Sequence, residues 1–287
     1  MKIHHMIVAG MALTGTIMTY IAAQDGSHVG RTAPVSSVQG GYHFLTTKVY
    51  SAQDDQRILN MFNGLRVSDV SDGMDAIGLP NVGLMDPDIA PLWVNPETHS
   101  HRMIGIAVTA RYVPSQSPEQ TRHTEGEFER WAEDWYYDRA PESFIPIIRP
   151  GSIVVIDDAQ GVDVGTVDSN SLLTWYSRGA CGVVTNGGAR NTDELTTQKI
   201  PVYFTKPARG IRPGRSELES VNRPIVVGGV CVMPGDVIVA DGDGVILVPR
   251  VYAERVSRYA QRIRLKDREE RLQLYDQLAR PQDVSVR

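Results

Sequence analysis

The sequence predicts an α/β fold: a single domain of mixed strands and helices closed by a long C-terminal helix. Three observations carry that expectation. Short apolar runs, from "RMIGIAVTARYV" (102–113) to "GVILV" (244–248), alternate with segments of helical spacing. The last runs, "IVVGGVCV", "DVIVAD" and "GVILV", are joined by Pro-Gly and Asp-Gly, turn residues that make them antiparallel. A charged stretch from about 250 to 280 reads as one helix.

Composition bounds the rest. A chain of 287 residues fits one large domain or two small ones. Hydrophobic residues make up 41% and charged residues 22%, which is enough apolar material for a real core. The net charge is -5, with acids and bases interspersed and no basic stripe, which argues against nucleic acid as a partner. Cys181 and Cys231 both stand in apolar runs and read as buried small hydrophobes.

Residues 1–23 differ in kind from the rest of the chain. "MIVAGMALTGTIMTYIAA", Met6 to Ala23, carries no charge and leads into the polar "QDGSHVG". It reads as a signal peptide cleaved after Ala23; an N-terminal membrane anchor or a buried helix are the alternatives. No cysteine follows the run, so a lipoprotein anchor is excluded. The chain is expected to work outside the cytoplasm, with membrane contact only through this segment. Residues 24–50, rich in Gly, Ser and Pro, read as a tether, and 51–287 as the folded domain.

Within the domain, "DDQRILNMFNGL" (54–65) has helical apolar spacing. "RVSDVSDGMDAIGLP" is a second helix, which Ser68 or Asp69 would cap and Gly78 and Pro80 would stop. "GSIVVIDD" (151–158) is a continuous apolar run, hence a buried strand, and "NSLLTWYSRG" (170–179) is a short helix. The C-terminal helix offers Tyr252, Val256, Tyr259, Ile263, Leu272, Tyr275 and Leu278 as its apolar face, broken by "KDREER". Asp241 and Asp243 in "VADGDGV" read as hairpin turn residues.

The stretch "GACGVVTNGGARNTDELTTQKIPVYF" (179–204) runs from strand through a Gly-Gly turn and an arginine into a polar helix start. Gly187 and Gly188 would let backbone N–H groups approach an anion closely, and Arg190 offers a planar fork for a carboxylate. More modest roles stand beside these: Asn191 with Glu194 as a capping box, Arg190 as a structural ion pair, and Asp168 as a helix cap. A second feature is the insertion 115–144, in which Phe128, Trp131 and Trp135 share one helical face. That stripe either packs the added helix on the body or makes it a lid carrying His123, Glu125, Glu127, Asp134 and Asp138 toward the arginine. Its Trp and Tyr faces would suit sugars or aromatic acids.

Together "LRVSDVSDGMDAIGLPNVGLMDPDIAPL", "RMIGIAVTARYV", "SRGACGVVTNGGARNTDEL", "IPVYF" and "GGVCVMPGDVIVADGDGVILVPR" resemble the RraA-like family, over roughly residues 55–275 apart from the insertion. That family includes the regulator of ribonuclease E activity and metal-dependent 4-hydroxy-4-methyl-2-oxoglutarate aldolases, which also decarboxylate oxaloacetate. The resemblance implies a swivelling β/β/α domain in trimers or double trimers, with sites between subunits. It implies a Gly-Asp/Glu-Leu-Leu turn that offers N–H groups to a 2-oxo acid, and an Arg-Asp pair whose aspartate binds Mg²⁺ or Mn²⁺. Here Asp168 and Ser169 replace the Gly-Asp of that turn, Arg190 is kept, and Asn191 stands where the metal aspartate is implied.

The implied function is therefore a divalent-metal carbon–carbon lyase acting on an oxo-acid or a sugar-derived carbonyl compound. Arg190, Asp168 and Ser169 would be catalytic; Ser169, Asn170, Ser171, Gly187, Gly188 and Arg190 would bind substrate; Asn191 and Glu194 would hold the metal. An Asn oxygen brings no charge, so metal affinity should fall. The alternative is a non-catalytic binding or regulatory protein that has lost the metal carboxylates. For the export expectation, mass analysis of the protein from its native host should find a chain starting near Gln24; an intact Met1 in a soluble cytoplasmic fraction would refute it.

Overall fold

The computed structural model describes residues 41, 43–116, 124–158 and 161–286. The chain divides into two compact units, Met1–Thr46 and Thr47–Arg287. The expected signal segment and most of the tether lie outside the described residues, and the second unit holds every helix and strand described below. No helix among the described residues is long and apolar enough to cross a membrane.

The strand β2 (Met103–Pro114) is the spine, as the alternating run at 102–113 predicts. Along one edge it pairs in parallel with β3 (Ser152–Asp157). β5 (Ala180–Thr185) and β7 (Val202–Phe204) continue the sheet in parallel, and β1 (Ala90–Pro91) closes that side antiparallel. Its other edge is shared. β12 (Val237–Asp241) pairs with the first half of β2 and continues into β13 (Gly244–Val248). β9 (Ser216–Val221) takes the second half, after a register shift between Arg111 and Tyr112. Backbone bonds from Met85 to Val245 (3.1 Å) and from Leu247 to Gly83 (2.8 Å) lay residues 83–85 along β13, so the sheet nearly closes on itself before the chain enters β1.

Three cores follow from the pleat. On β3, Val154 and Ile156 face one cluster and Ile153 and Val155 another. The third lies under the helices α1 (Ala52–Phe62), α2 (Val67–Ala76) and α6 (Ala253–Gln277). α2 starts earlier than its Ser68 or Asp69 cap would have it. The Val67 N–H donates to the buried Asp241 carboxylate at 2.9 Å, and Asp69, inside the helix, reaches back to the Arg66 N–H at 2.9 Å. Asp241 is thus a cap for a helix far away in sequence as well as a turn residue, bonding the Asp243 N–H at 2.9 Å. On α6 the buried face is Ala253, Val256, Ser257 and Ala260, whereas Tyr259 and Leu278 are exposed. Small residues win that face because α6 packs closely on α2. Cys181 is half-buried and packs against the core, its thiol pushed up to about 12 by burial, whereas Cys231 is exposed on the hairpin β10 (Ile225–Val227) and β11 (Val230–Val232), contrary to the expectation that it is buried.

The insertion forms the helix α3 (Glu125–Asp138). Its aromatic stripe is graded. Trp135 is buried and donates its indole N–H to the Ser216 carbonyl at 3.0 Å, Trp131 packs at the edge of the core, and Phe128 is exposed. The packing role of the stripe is therefore the one observed. Trp135→Ala should cost about 3–5 kcal/mol by denaturant unfolding, as large-to-small core changes do. Phe128→Ala should cost less than about 1 kcal/mol; equal costs would contradict this packing.

Candidate functional site

A small parallel sheet builds the site. β4 (Gly165–Val167) and β6 (Gly188–Ala189) pair with Gly165 opposite Gly188, and β8 (Lys206–Pro207) flanks them. Parallel strands deliver the helices that follow them to one crevice beyond their carboxyl ends. β4 leads into α4 (Ser169–Ser177), and β6 leads through Arg190 and Asn191 into α5 (Thr192–Gln198). The Arg190 N–H donates to the Val167 carbonyl at 2.9 Å, which sets Arg190 beside Asp168. The Gln198 amide ties the two helices by donating to the Ser169 carbonyl at 3.0 Å. The structure therefore brings Asp168, Ser169, Asn170, Ser171, Arg190 and Asn191 together.

Their roles differ from several expectations. Asp168 is the N-cap of α4: its carboxylate accepts from the Asn170 N–H at 2.9 Å, the Ser171 N–H at 3.0 Å and the Ser171 hydroxyl at 3.3 Å. Of the three N–H groups assigned to a substrate oxyanion, those of Asn170 and Ser171 are thus already taken by this chain's own carboxylate. Gly187 and Gly188 are buried and do not form an anion cradle. The Gly187 N–H donates to the Thr185 hydroxyl at 2.9 Å, and a Cβ on Gly188 would stand 2.4 Å from that of Ala208. They are glycines because neighbouring chain packs against them.

Asn191 is exposed and left-handed (φ 58°, ψ 45°), with no side-chain cap on α5, so the expected capping box with Glu194 is not made. Asn tolerates that conformation better than other residues with a side chain. Glu194 is also exposed. Arg190 is half-buried, its stem lying where a Cβ on Gly165 would be 2.5 Å from its Cδ. No hydrogen bond or ion pair of its guanidinium is found among the described residues, which sets aside the structural ion pair.

One wall of the site was not foreseen. Arg212, 4% exposed, donates to the Thr166 carbonyl at 2.7 Å, lies 3.7 Å from the Glu142 carboxylate, and stacks 3.9 Å from the Tyr112 ring centre. Glu142 also accepts from the Trp175 indole at 2.8 Å. Asp158, 4% exposed, accepts from the Thr166 hydroxyl; burial pushes its carboxyl above the usual range, against the pull of that hydroxyl and of Arg212. Tyr136 of α3 completes the wall. Its ring is partly exposed, and its phenol is raised by burial and lowered most by Arg212. The sequence signals were slight: an arginine between isoleucine and proline in "GIRPG", and a Tyr one residue beyond the aromatic stripe.

The residues present do not fit a divalent cation. Among the described residues no three His, Cys, Asp or Glu side chains stand together as a metal site. Asn191 offers a neutral oxygen in solvent and Asp168 is bound to its own helix. Of the proposed insertion cluster, His123 lies outside the described residues, and Glu127 accepts from the Thr124 N–H at 2.9 Å and its hydroxyl at 2.7 Å as a helix cap.

Residues 67–247 match the family model described as "RraA-like: Aldolase/RraA". The chain belongs to the RraA-like family. It is 26% identical over 204 residues to protein DlpA of Legionella pneumophila, covering 70% of this chain and 29% of that protein. It is 29% identical over 103 residues to a 4-hydroxy-4-methyl-2-oxoglutarate aldolase of Thermus thermophilus, covering 34% of this chain and 60% of the aldolase. The chain thus spans less than two thirds of both relatives. RraAS2 of Streptomyces coelicolor, titled an unusual member of the RNase ES inhibitor RraA family, shares the fold at a TM-score of 0.61 with 17% identity, covering 79% of this chain and 99% of that one. An uncharacterized protein of Pseudomonas syringae does so at 0.60 with 22% identity, covering 83% and 97%.

Removing the cap and removing the free arginine should separate cleanly. Asp168→Ala should destabilise the fold by about 1 kcal/mol, the usual cost of an N-cap. Arg190→Ala should stay within about 0.5 kcal/mol. Urea unfolding of both variants checks this, and a large loss from Arg190→Ala would mean the arginine is structural.

Proposed function

We propose that this RraA-like protein binds a small carboxylate of the 2-oxo-acid class at Arg190, under the inserted helix, without a metal centre. The observation that carries this reading is a contrast between neighbours. Asp168 satisfies the Asn170 and Ser171 N–H groups in the first turn of α4, while Arg190, beside it, keeps an unpaired guanidinium. A planar fork with no protein partner favours a carboxylate from outside. Tyr136 and Arg212 add an aromatic and cationic wall. Asp168 repels an anion that approaches too near the helix end, so the ligand is held from the arginine side. This is the binding or regulatory alternative within the family; the reaction of the aldolases, which needs a hard cation on the developing enolate, is not what these side chains favour.

The lyase reading retains one specific observation: the Arg190–Asn191 pair opens a helix directly beside the α4 turn, where the family resemblance implies a substrate-binding arginine. Calorimetric titration distinguishes the two. Pyruvate should bind the native chain with Mg²⁺ chelated away, and Arg190→Ala should weaken it by about tenfold or more, the loss of one charge-assisted bidentate pair. Mn²⁺ should give negligible heat with the native chain and measurable heat with Asn191→Asp. Metal-dependent decarboxylation of oxaloacetate by the native chain would overturn the proposal in favour of the lyase.

A further inference from the structure

A cavity of about 330 Å³ beside α6 shares no residue with the Arg190 site. Arg66, His99, Arg102, Arg264, Arg268 and Arg271 line it, with the C-terminal turn at its rim. Three of the arginines come from α6 at i, i+4 and i+7, which puts them on one helical face. Like charges at that spacing repel, so the helix alone has no reason to collect them there. This is the "KDREER" interruption of the apolar pattern and its approach, seen as structure.

The charges are only partly answered. Arg66 bonds Asp69 and Asp267, each at 2.6 Å, and Arg271 pairs with the same Asp267. Arg268 donates to the Val286 carbonyl at 3.0 Å and Arg271 to the Ser285 carbonyl at 2.9 Å, so the C-terminal turn braces them without neutralising them. Among the described residues, Arg102 and Arg264 have no carboxylate partner. Five guanidiniums line the cavity; Asp69 and Asp267 pair with two of them and Asp283 of the C-terminal turn acts on His99, so positive charge remains in excess there in a chain whose net charge is -5. Gly64 makes the room: its φ is +74°, and a Cβ there would stand 2.8 Å from the Arg264 Nη2. His99, itself left-handed at φ 55°, is held below its ordinary pKa by burial and then by Arg102.

We propose that this cavity binds a phosphate-type dianion, free or as the terminal group of a small phosphorylated molecule. Converging guanidinium forks match a tetrahedral anion with several acceptor oxygens, whereas a single carboxylate would engage one fork and leave the others repelling. Binding relieves the repulsion within α6, so the ligand also stabilises the fold.

The test uses the full chain in low-salt buffer. Inorganic phosphate should give a saturable one-site heat and raise Tm. Arg102→Ala with Arg264→Ala should weaken binding by about tenfold or more, each having lost a charge-assisted fork. Arg190→Ala should bind phosphate as the native chain does. Arg102 is exposed, so Arg102→Ala alone serves if the double variant does not fold. The proposal is overturned by the absence of saturable heat, by variants of the cavity that titrate like the native chain, or by potassium chloride at matched ionic strength raising Tm as much as phosphate.

Discussion

The hydrogen bond from the Arg190 N–H to the Val167 carbonyl, 2.9 Å long, is the constraint on which the site depends. It fixes the parallel register of β4 and β6, and so it decides which residues meet where the strands end. A slip of one residue would turn every side chain to the opposite face. The glycines hold that register from both sides. Gly165 leaves space for the Arg190 stem, and Gly188 lets β6 lie against Val164 and Ala208. The pair 168 and 190, far apart in sequence, becomes adjacent because two backbone strands cannot approach this closely with side chains between them.

Around that pair the insertion acts as a wall. Trp135 anchors α3 to the first residue of β9, and the Tyr112–Arg212–Glu142–Trp175 chain of contacts continues the wall toward α4. Arg212 is a buried charge, costly unless it is answered, and here a carbonyl, a carboxylate and an aromatic face answer it in part, its Nε being left without a hydrogen-bond partner among the described residues. The same residues place a positive field behind Asp158 and in front of Tyr136. The helix that looks in sequence like an addition is therefore joined to the body through buried polar contacts as well as apolar ones.

Much of the fold was legible because it rests on local pattern. The alternating run at 102–113 and the continuous run at 151–158 became β2 and β3, and the Asp-Gly turn became the β12–β13 hairpin. The segments around Asp168 and Arg190, singled out because a turn followed by an arginine stands out, lie side by side in the structure. Their roles were less legible. Whether Asn191 caps a helix depends on its φ, which a string of letters does not record. Asp241 looked like a turn residue and also caps α2, because its second bond crosses 174 positions of sequence. Arg212 and Tyr136 gave almost no signal, as their importance lies in what tertiary packing sets beside them.

Asp168 and Asn191 make physical sense as a pair. A free helix N-terminus attracts an anion, and a metal ion beside it would share that anion with the arginine. Once Asp168 occupies the N–H groups of α4, the crevice holds a fixed negative charge where a substrate oxygen would sit. A second carboxylate at 191 would then face Asp168 across the mouth with only Arg190 to balance them, and without a cation the two would repel. Asn191 removes that cost and keeps the left-handed turn that a β-branched residue would strain. What remains is one arginine with a capped helix on one side and an aromatic wall on the other. Under the proposed carboxylate binding, that geometry would discriminate by shape and by a single fork.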